Sequence, residues 1–114
     1  MTIEELEDHI RSLGHTVELL HDGSGQPYTT IRDVTIPNGS LQDRRCDIAL
    51  GRWQTMPYVL PAAIHTRPIL IPMGQRNTQA SGLGPDWQYW SRRFDSAPTP
   101  RGIWAHVLTV LGEV

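Results

Sequence analysis

The side chains able to do chemistry in this chain are few and widely spaced. Cys46 is the single cysteine. It alternates with Ile48 and Leu50, the pattern of a small residue on the buried face of a strand rather than of an exposed nucleophile. Ser81 stands between Ala80 and Gly82 with no glycine two positions before it, so it does not sit on a Gly-x-Ser-x-Gly elbow and reads as a loop serine. The five histidines form no His-x-x-x-His pair, and a lone cysteine forms no Cys-x-x-Cys pair, so no metal site is expected. His15 and His21 share a strand face but would sit about 20 Å apart at ~3.3 Å per residue. His106 falls in the last helical stretch, where one hydrogen bond at the core rim is the expected role. Gly23-Ser24-Gly25 is too short to cradle a phosphate. All ten basic residues are arginine. Without lysine, Schiff-base chemistry and a lysine-bearing phosphate loop are excluded. No cofactor is expected.

One stretch concentrates aromatic and basic side chains. Asp86-Trp87-Gln88-Tyr89-Trp90-Ser91-Arg92-Arg93 holds two of the four tryptophans. Trp87 and Trp90 are three apart, so a helical turn would put them on one face. Each ring can bury roughly 150–250 Å². The segment therefore serves as a clamp between loop and core, as a surface that grips a partner, or as both. Trp87 is expected to be buried. Arg92 and Arg93 are expected to flank a partner surface, because a planar, permanently charged guanidinium suits carboxylate pairing at an interface.

The elements that must position these residues follow from periodicity. Residues 2–13 read as a helix with Thr2 and Glu5 as a capping box and Ile3, Leu6, Ile10 and Leu13 as the apolar stripe. Gly14 stops it. Strands are expected over His15–His21, Tyr28–Ile36 and Arg45–Leu50, joined by short turns into an antiparallel meander. Ala62–Ile71 reads as a fourth, broken strand, with Pro68 at an edge. Residues 72–86, rich in glycine and proline, read as a long loop. Thr99-Pro100 opens the last helix, with Ile103, Val107, Val110, Leu111 and Val114 as its stripe. The order is helix, four-stranded antiparallel meander, long loop, helix: one α+β domain over residues 1–114.

Composition bounds the function. A chain of 114 residues with net charge −2 has no basic field for nucleic acid. One cysteine allows no internal disulfide, which fits a reducing, cytoplasmic setting. The acidic, amphipathic opening is not a signal peptide, and no apolar run approaches the roughly 20 residues that span a bilayer. No membrane partner is expected.

The order of elements resembles the ubiquitin-conjugating-enzyme fold. Met56-Pro57-Tyr58-Val59-Leu60-Pro61 is similar to the Tyr-Pro-x-x-Pro-Pro turn of that fold. Met56 stands where tyrosine is usual, and Leu60 where another proline is usual. A closer resemblance is to the prokaryotic ubiquitin-conjugating-enzyme-like family E. It is carried by the opening helix and glycine, by Ile36-Pro37 at the end of the second strand, and by Trp87-Gln88-Tyr89-Trp90-Ser91-Arg92. That last segment resembles the family's Trp-x-x-Trp-Ser-Arg segment, with Arg93 where histidine is common.

The resemblance implies a ubiquitin-like protein, or an activating-enzyme or peptidase component, as partner. It implies a nucleophilic cysteine in the loop after the fourth strand, here residues 72–86, where this chain has none. His65-Thr66-Arg67-Pro68 is a remnant at most of a His-Pro-Asn signature, and Asn77 has no nucleophile to assist. A thioester needs a thiolate, so the expectation is a catalytically silent member of the family with no catalytic residue. Its partner-binding surface is expected on Trp90, Ser91, Arg92, Arg93 and His65. An active carrier with an unusual nucleophile and a structural or dimerisation module are the alternatives. The sequence does not set the oligomeric state.

Overall fold

A computed structural model describes residues 1–114. Its elements, in chain order, are α1 (Ile3–Ser12), β1 (Thr16–His21), β2 (Pro27–Thr35), β3 (Arg45–Gly51), β4 (Ala63–Arg67), a single 3-10 turn (Gln75–Asn77), β5 (Thr78–Ser81), β6 (Gly84–Ser91) and α2 (Pro100–Gly112). The chain is an α+β domain. The sheet has six strands, all antiparallel, in the order β1-β2-β3-β4-β6-β5.

The helix termini follow local chemistry. Thr2 Oγ1 accepts the amide of Glu5 at 3.1 Å, and Thr99 Oγ1 accepts that of Gly102 at 3.0 Å. Each satisfies a donor that the helix itself leaves free. The apolar stripes of both helices, Ile3, Leu6 and Ile10 from α1 and Ile103, Val107, Val110 and Leu111 from α2, join one face of the sheet in a single core. From the sheet come Ile31, Cys46, Ile48, Leu50, Ile64 and Trp90. A bulge in β2 between Ile31 and Val34, with Asp33 at φ 58°, keeps both apolar residues buried against this core.

Six strands replace the expected four. The meander β1 to β4 forms, but residues 72–86 do not make one long loop. They turn through Gln75–Asn77, form β5, and enter β6. The last segment of the predicted fourth strand also fails, because β4 stops at Arg67. Leu70 and Ile71 instead give their backbone groups to Gln88: the amide of Leu70 donates to Gln88 Oε1 at 2.9 Å, and Gln88 Nε2 donates to the carbonyl of Ile71 at 2.9 Å. A buried amide side chain thereby satisfies a backbone that has left the ladder.

No helix covers the second face of the sheet, yet Thr30, Ala49, His65 and Trp87 on it are buried. Curvature explains this. Neighbouring strands are about 4.8 Å apart, so five steps would separate β1 and β5 by roughly 24 Å in a flat sheet. A Cβ built on Gly82, at the β5–β6 turn, would instead lie 3.8 Å from Asp22 Oδ2, at the β1–β2 turn. The sheet curls until the tips of its two outer hairpins meet, and the open face becomes a concave cradle.

Candidate functional site

The Trp-Ser-Arg segment is a strand, so its side chains alternate. Trp87, Tyr89 and Ser91 project from one face, and Gln88 and Trp90 from the other. Trp87 and Trp90 therefore do not share a face. Trp90 is fully buried in the helix-covered core, and its indole N–H donates to Thr66 Oγ1 at 2.9 Å. Trp87 is also buried, on the cradle side, beneath the Arg67 guanidinium at 4.6 Å from the ring centre. The cation–π contact shields a ring that no helix covers.

Of the anticipated partner-binding residues, Trp90 and His65 are buried and offer little surface. Ser91 and Arg93 are exposed and Arg92 is half-buried. The Arg92 guanidinium lies 5.6 Å from the Trp90 ring centre and donates to the carbonyl of Ser91 at 2.8 Å. Arg92 and Arg93 border a depression with Asp95, His106 and Glu113. His106 packs edge-on against Phe94, and its buried Nε2 has no hydrogen-bond partner, contrary to the expected bond at the core rim. Burial lowers its pKa below the ordinary imidazole value. Trp90, Arg92 and Arg93 thus stay together, while Ser91 and His65 project from the other face of the sheet.

His65 is the centre of a second constellation. Its ring stands between Tyr28 and Tyr89, edge-on to both, at centroid distances of 5.1 and 5.3 Å. Its Nδ1 is 2.7 Å from Ser81 Oγ. Ser81 Oγ also accepts the amide of Leu83 at 3.1 Å, so one hydroxyl ties the imidazole to the β5–β6 turn. The Tyr28 hydroxyl donates to Asp22 Oδ2 at 3.2 Å. Asp22 Oδ1 holds its own turn by accepting from the Ser24 amide and hydroxyl and the Gln26 amide. Those bonds, the Ser24 hydroxyl first, lower the Asp22 pKa.

Desolvation pushes the His65 pKa down to about 4, against a small opposing pull from the Asp22 carboxylate. The ring is therefore neutral at physiological pH. Beside it lies a cavity of about 270 Å³, lined by Tyr28, Gly51, Trp53, Pro61, Ala63, His65, Gly82 and Tyr89. Gly51 makes room for its wall: a Cβ there would meet Trp53 Cζ2 and Pro61 Cγ, both at 3.0 Å.

Sequence reasoning missed this cluster apart from His65 itself. Ser81-Gly82-Leu83-Gly84 between two alternating runs is the one hairpin signal that places Ser81 beside a strand.

Cys46 is buried in the core, and burial, with Asp47 adding to it, pushes the thiol up to about 12. No group of three or more potential metal ligands comes together. No helix is long and apolar enough to cross a membrane. A larger, flatter depression of about 550 Å³ lies beside Asp33, Arg45, Asp47, Arg67 and Asp86. Its charges are largely spent on one another, through Arg45 with Asp33 and Arg67 with Asp47.

Fold and site together define a small α+β domain with one open, concave sheet face and an aromatic pocket on it. Comparison with protein-family models, curated proteins and solved structures found no match to this chain.

Proposed function

We propose that the chain is a catalytically silent protein-binding module on the ubiquitin-conjugating-enzyme-like plan. Its partner is a ubiquitin-like protein, or an activating-enzyme or peptidase component, of a bacterial conjugation-like system. The resemblance of the Trp-Ser-Arg segment and the proline turn supplies the partner class. The observation that carries the silent reading is the state of the only thiol. Cys46 is buried in the core with its pKa pushed up to about 12, so almost none is thiolate at neutral pH and no partner reaches it. The segment where the resemblance puts a nucleophilic cysteine is a cysteine-free hairpin that extends the sheet.

One observation favours a second reading, an oxyester carrier. Ser81 lies in that same hairpin, within hydrogen-bond reach of His65. In such a step the Ser81 oxygen attacks a thioester carbonyl and an ester forms. The thiolate leaves and receives the serine proton through His65. An imidazole with a pKa of about 4 is a weak base for this, which is why the silent reading stands first.

One experiment separates them. The protein is incubated with a bacterial activating enzyme, ATP and the ubiquitin-like protein which that enzyme charges, then run on gels with and without thiol. The silent reading expects a non-covalent complex by size-exclusion chromatography and no adduct on either gel. An adduct removed by thiol and absent in Cys46→Ser overturns it. An adduct stable to thiol and absent in Ser81→Ala establishes the second reading.

A further inference from the structure

β1 is an outer strand of the sheet, and its one strand neighbour is β2. The hairpin fixes which of its backbone groups face outward. The amide of Asp22 donates to the carbonyl of Gln26 at 3.0 Å, so these two residues form a hydrogen-bonded pair of the β1–β2 ladder. Such pairs alternate with pairs whose N–H and C=O groups turn away from each other. Along the register, Thr16, Glu18 and Leu20 therefore bond to β2, while Val17, Leu19 and His21 point outward. The far side of β2 agrees: Pro27, opposite His21, gives its carbonyl to the amide of Arg52 at 3.0 Å. With no strand beyond β1, its outward groups are left to water or to a strand from another molecule.

Sheet edges are ordinarily blunted by a short strand, a bulge, a proline or a lysine. β5, the other outer strand, is blunted in this way: it has four residues and a register shift between Ala80 and Ser81. β1 has six residues in unbroken register, with no proline, glycine or lysine among them. The middle of the strand is apolar, and Leu19 is 55% exposed. Leu19 pairs with Thr29, whose hydroxyl donates to Glu7 of α1, so it stands on the helix side of the sheet, beyond the cover that α1 provides. A strand laid along β1 would satisfy the outward backbone groups and cover Leu19 at once.

We propose that the free edge of β1 is a self-association surface, on which β1 of a second copy adds antiparallel about a two-fold axis at Leu19. The register follows from the strand itself. Outward residues must face outward residues, and a two-fold perpendicular to the sheet puts the same patch on both copies. An axis at Glu18 would set that carboxylate against its own copy, and an axis at Leu20 would set Glu18 against Asp22. Like charges directly opposite are destabilising. An axis at Leu19 sets Leu19 against Leu19, Val17 against His21 and Glu18 against Leu20, and leaves Glu18 its Arg32 partner at 3.1 Å. The Leu19 pair exchanges two backbone bonds, and each Val17–His21 pair two more. β1 is thus its own complement, in charge, in backbone groups and in its exposed leucine. The contact is narrow, so the dimer belongs to the weak class. The edge is separate from the Arg92–Arg93 surface, and the inference holds whichever partner that surface takes.

The test is sedimentation velocity on the whole chain from about 10 µM to about 1 mM. A concentration-dependent equilibrium between monomer and dimer is expected. Over the same range, hydrogen exchange at the amides of Val17, Leu19 and His21 should slow while the amides of β5 do not change. Leu19→Lys and Leu19→Glu alter an exposed side chain whose backbone faces outward, so each variant should melt like the parent. Each alone should dimerise at least about ten-fold more weakly, because like charges then meet across the axis. Mixed in equal amounts, the two variants should associate again, lysine opposite glutamate. A parent that stays monomeric at about 1 mM overturns the proposal, as does a dimer that survives in both variants alone, or a mixture that associates no better than either variant. If the β1 amides of a monomeric parent become protected on adding a ubiquitin-like protein, the edge takes a different chain and the proposal fails.

Discussion

Protonating His65 should destabilise the fold, and the size of the effect follows from its surroundings. The ring is walled by two tyrosines and bonded through Nδ1 to Ser81. Its pKa falls from 6.5 to about 4 on folding. Above the unfolded value both states hold a neutral ring and there is no penalty. Between 6.5 and about 4 the unfolded chain binds the proton and the folded chain does not, so stability falls as pH falls. Below about 4 the penalty is complete. Each tenfold difference in proton affinity between the two states is worth about 1.36 kcal/mol, so lowering the pH from about 7.5 to about 4.5 costs about 2.5 kcal/mol. Solvent reaching the ring through the pocket mouth screens part of this, leaving about 2 kcal/mol.

Urea unfolding at both pH values measures it. Carboxylates such as Glu7 and Asp47 also lose stabilising partners on acidification, so the informative quantity is the difference from His65→Gln. That variant keeps a polar group near Ser81 but cannot be protonated. The parent should lose about 2 kcal/mol more than the variant over this interval. Equal losses would refute the reasoning, and would mean that the folded chain accommodates the imidazolium, by opening the hairpin tips or otherwise.

Four further outcomes are expected. Glu7 is a buried carboxylate that accepts from Thr29 Oγ1 at 2.7 Å and from Arg52 through two nitrogens at 2.9 and 3.2 Å. Burial raises its pKa, but these partners outweigh it and the net shift is downward. Glu7→Ala, which strands the Thr29 hydroxyl and the arginine, should cost about 3 kcal/mol by denaturant melt. Gly39 has φ +85°, and a Cβ there would meet the Gly112 carbonyl oxygen at 2.3 Å. Gly39→Ala should therefore lower the melting temperature by loosening the turn from the end of α2, while Thr55→Ala, at an exposed position, should not. Trp90→Ala should cost about 3–5 kcal/mol, as removal of a fully buried ring does, whereas Arg92→Ala with Arg93→Ala should leave melting nearly unchanged. Cys46 should react with iodoacetamide far more slowly in the native chain than in urea, read by mass spectrometry, because the thiol is both enclosed and undissociated.

The parts of this protein legible in its amino-acid order are those whose signals are local. Thr2 and Thr99 mark helix starts because a hydroxyl at that position satisfies a free amide of its own turn. The α1 stripe of Ile3, Leu6 and Ile10, the α2 stripe and the Cys46-Ile48-Leu50 alternation of β3 each repeat enough times to establish their period, whereas Leu13 and Leu19, read into such runs, are exposed. The burial of Cys46 was legible for the same reason.

Where the repeats run out, long-range packing made the choice. Trp87 and Trp90 are three apart, and two residues cannot distinguish a helical turn from a strand. Pairing with β4 selected the strand, and it sent the two rings to opposite faces. The glycines and prolines of residues 72–86 look like a loop, and β5 exists because β6 offers it a ladder. The Ser81–His65 contact joins residues 16 positions apart. It requires three things that no window of sequence contains: β6 beside β4, β5 outside β6, and a sheet curled until its outer turns meet. Twist accumulates over all six strands, so the cradle and its aromatic pocket belong to the whole sheet rather than to any segment of it.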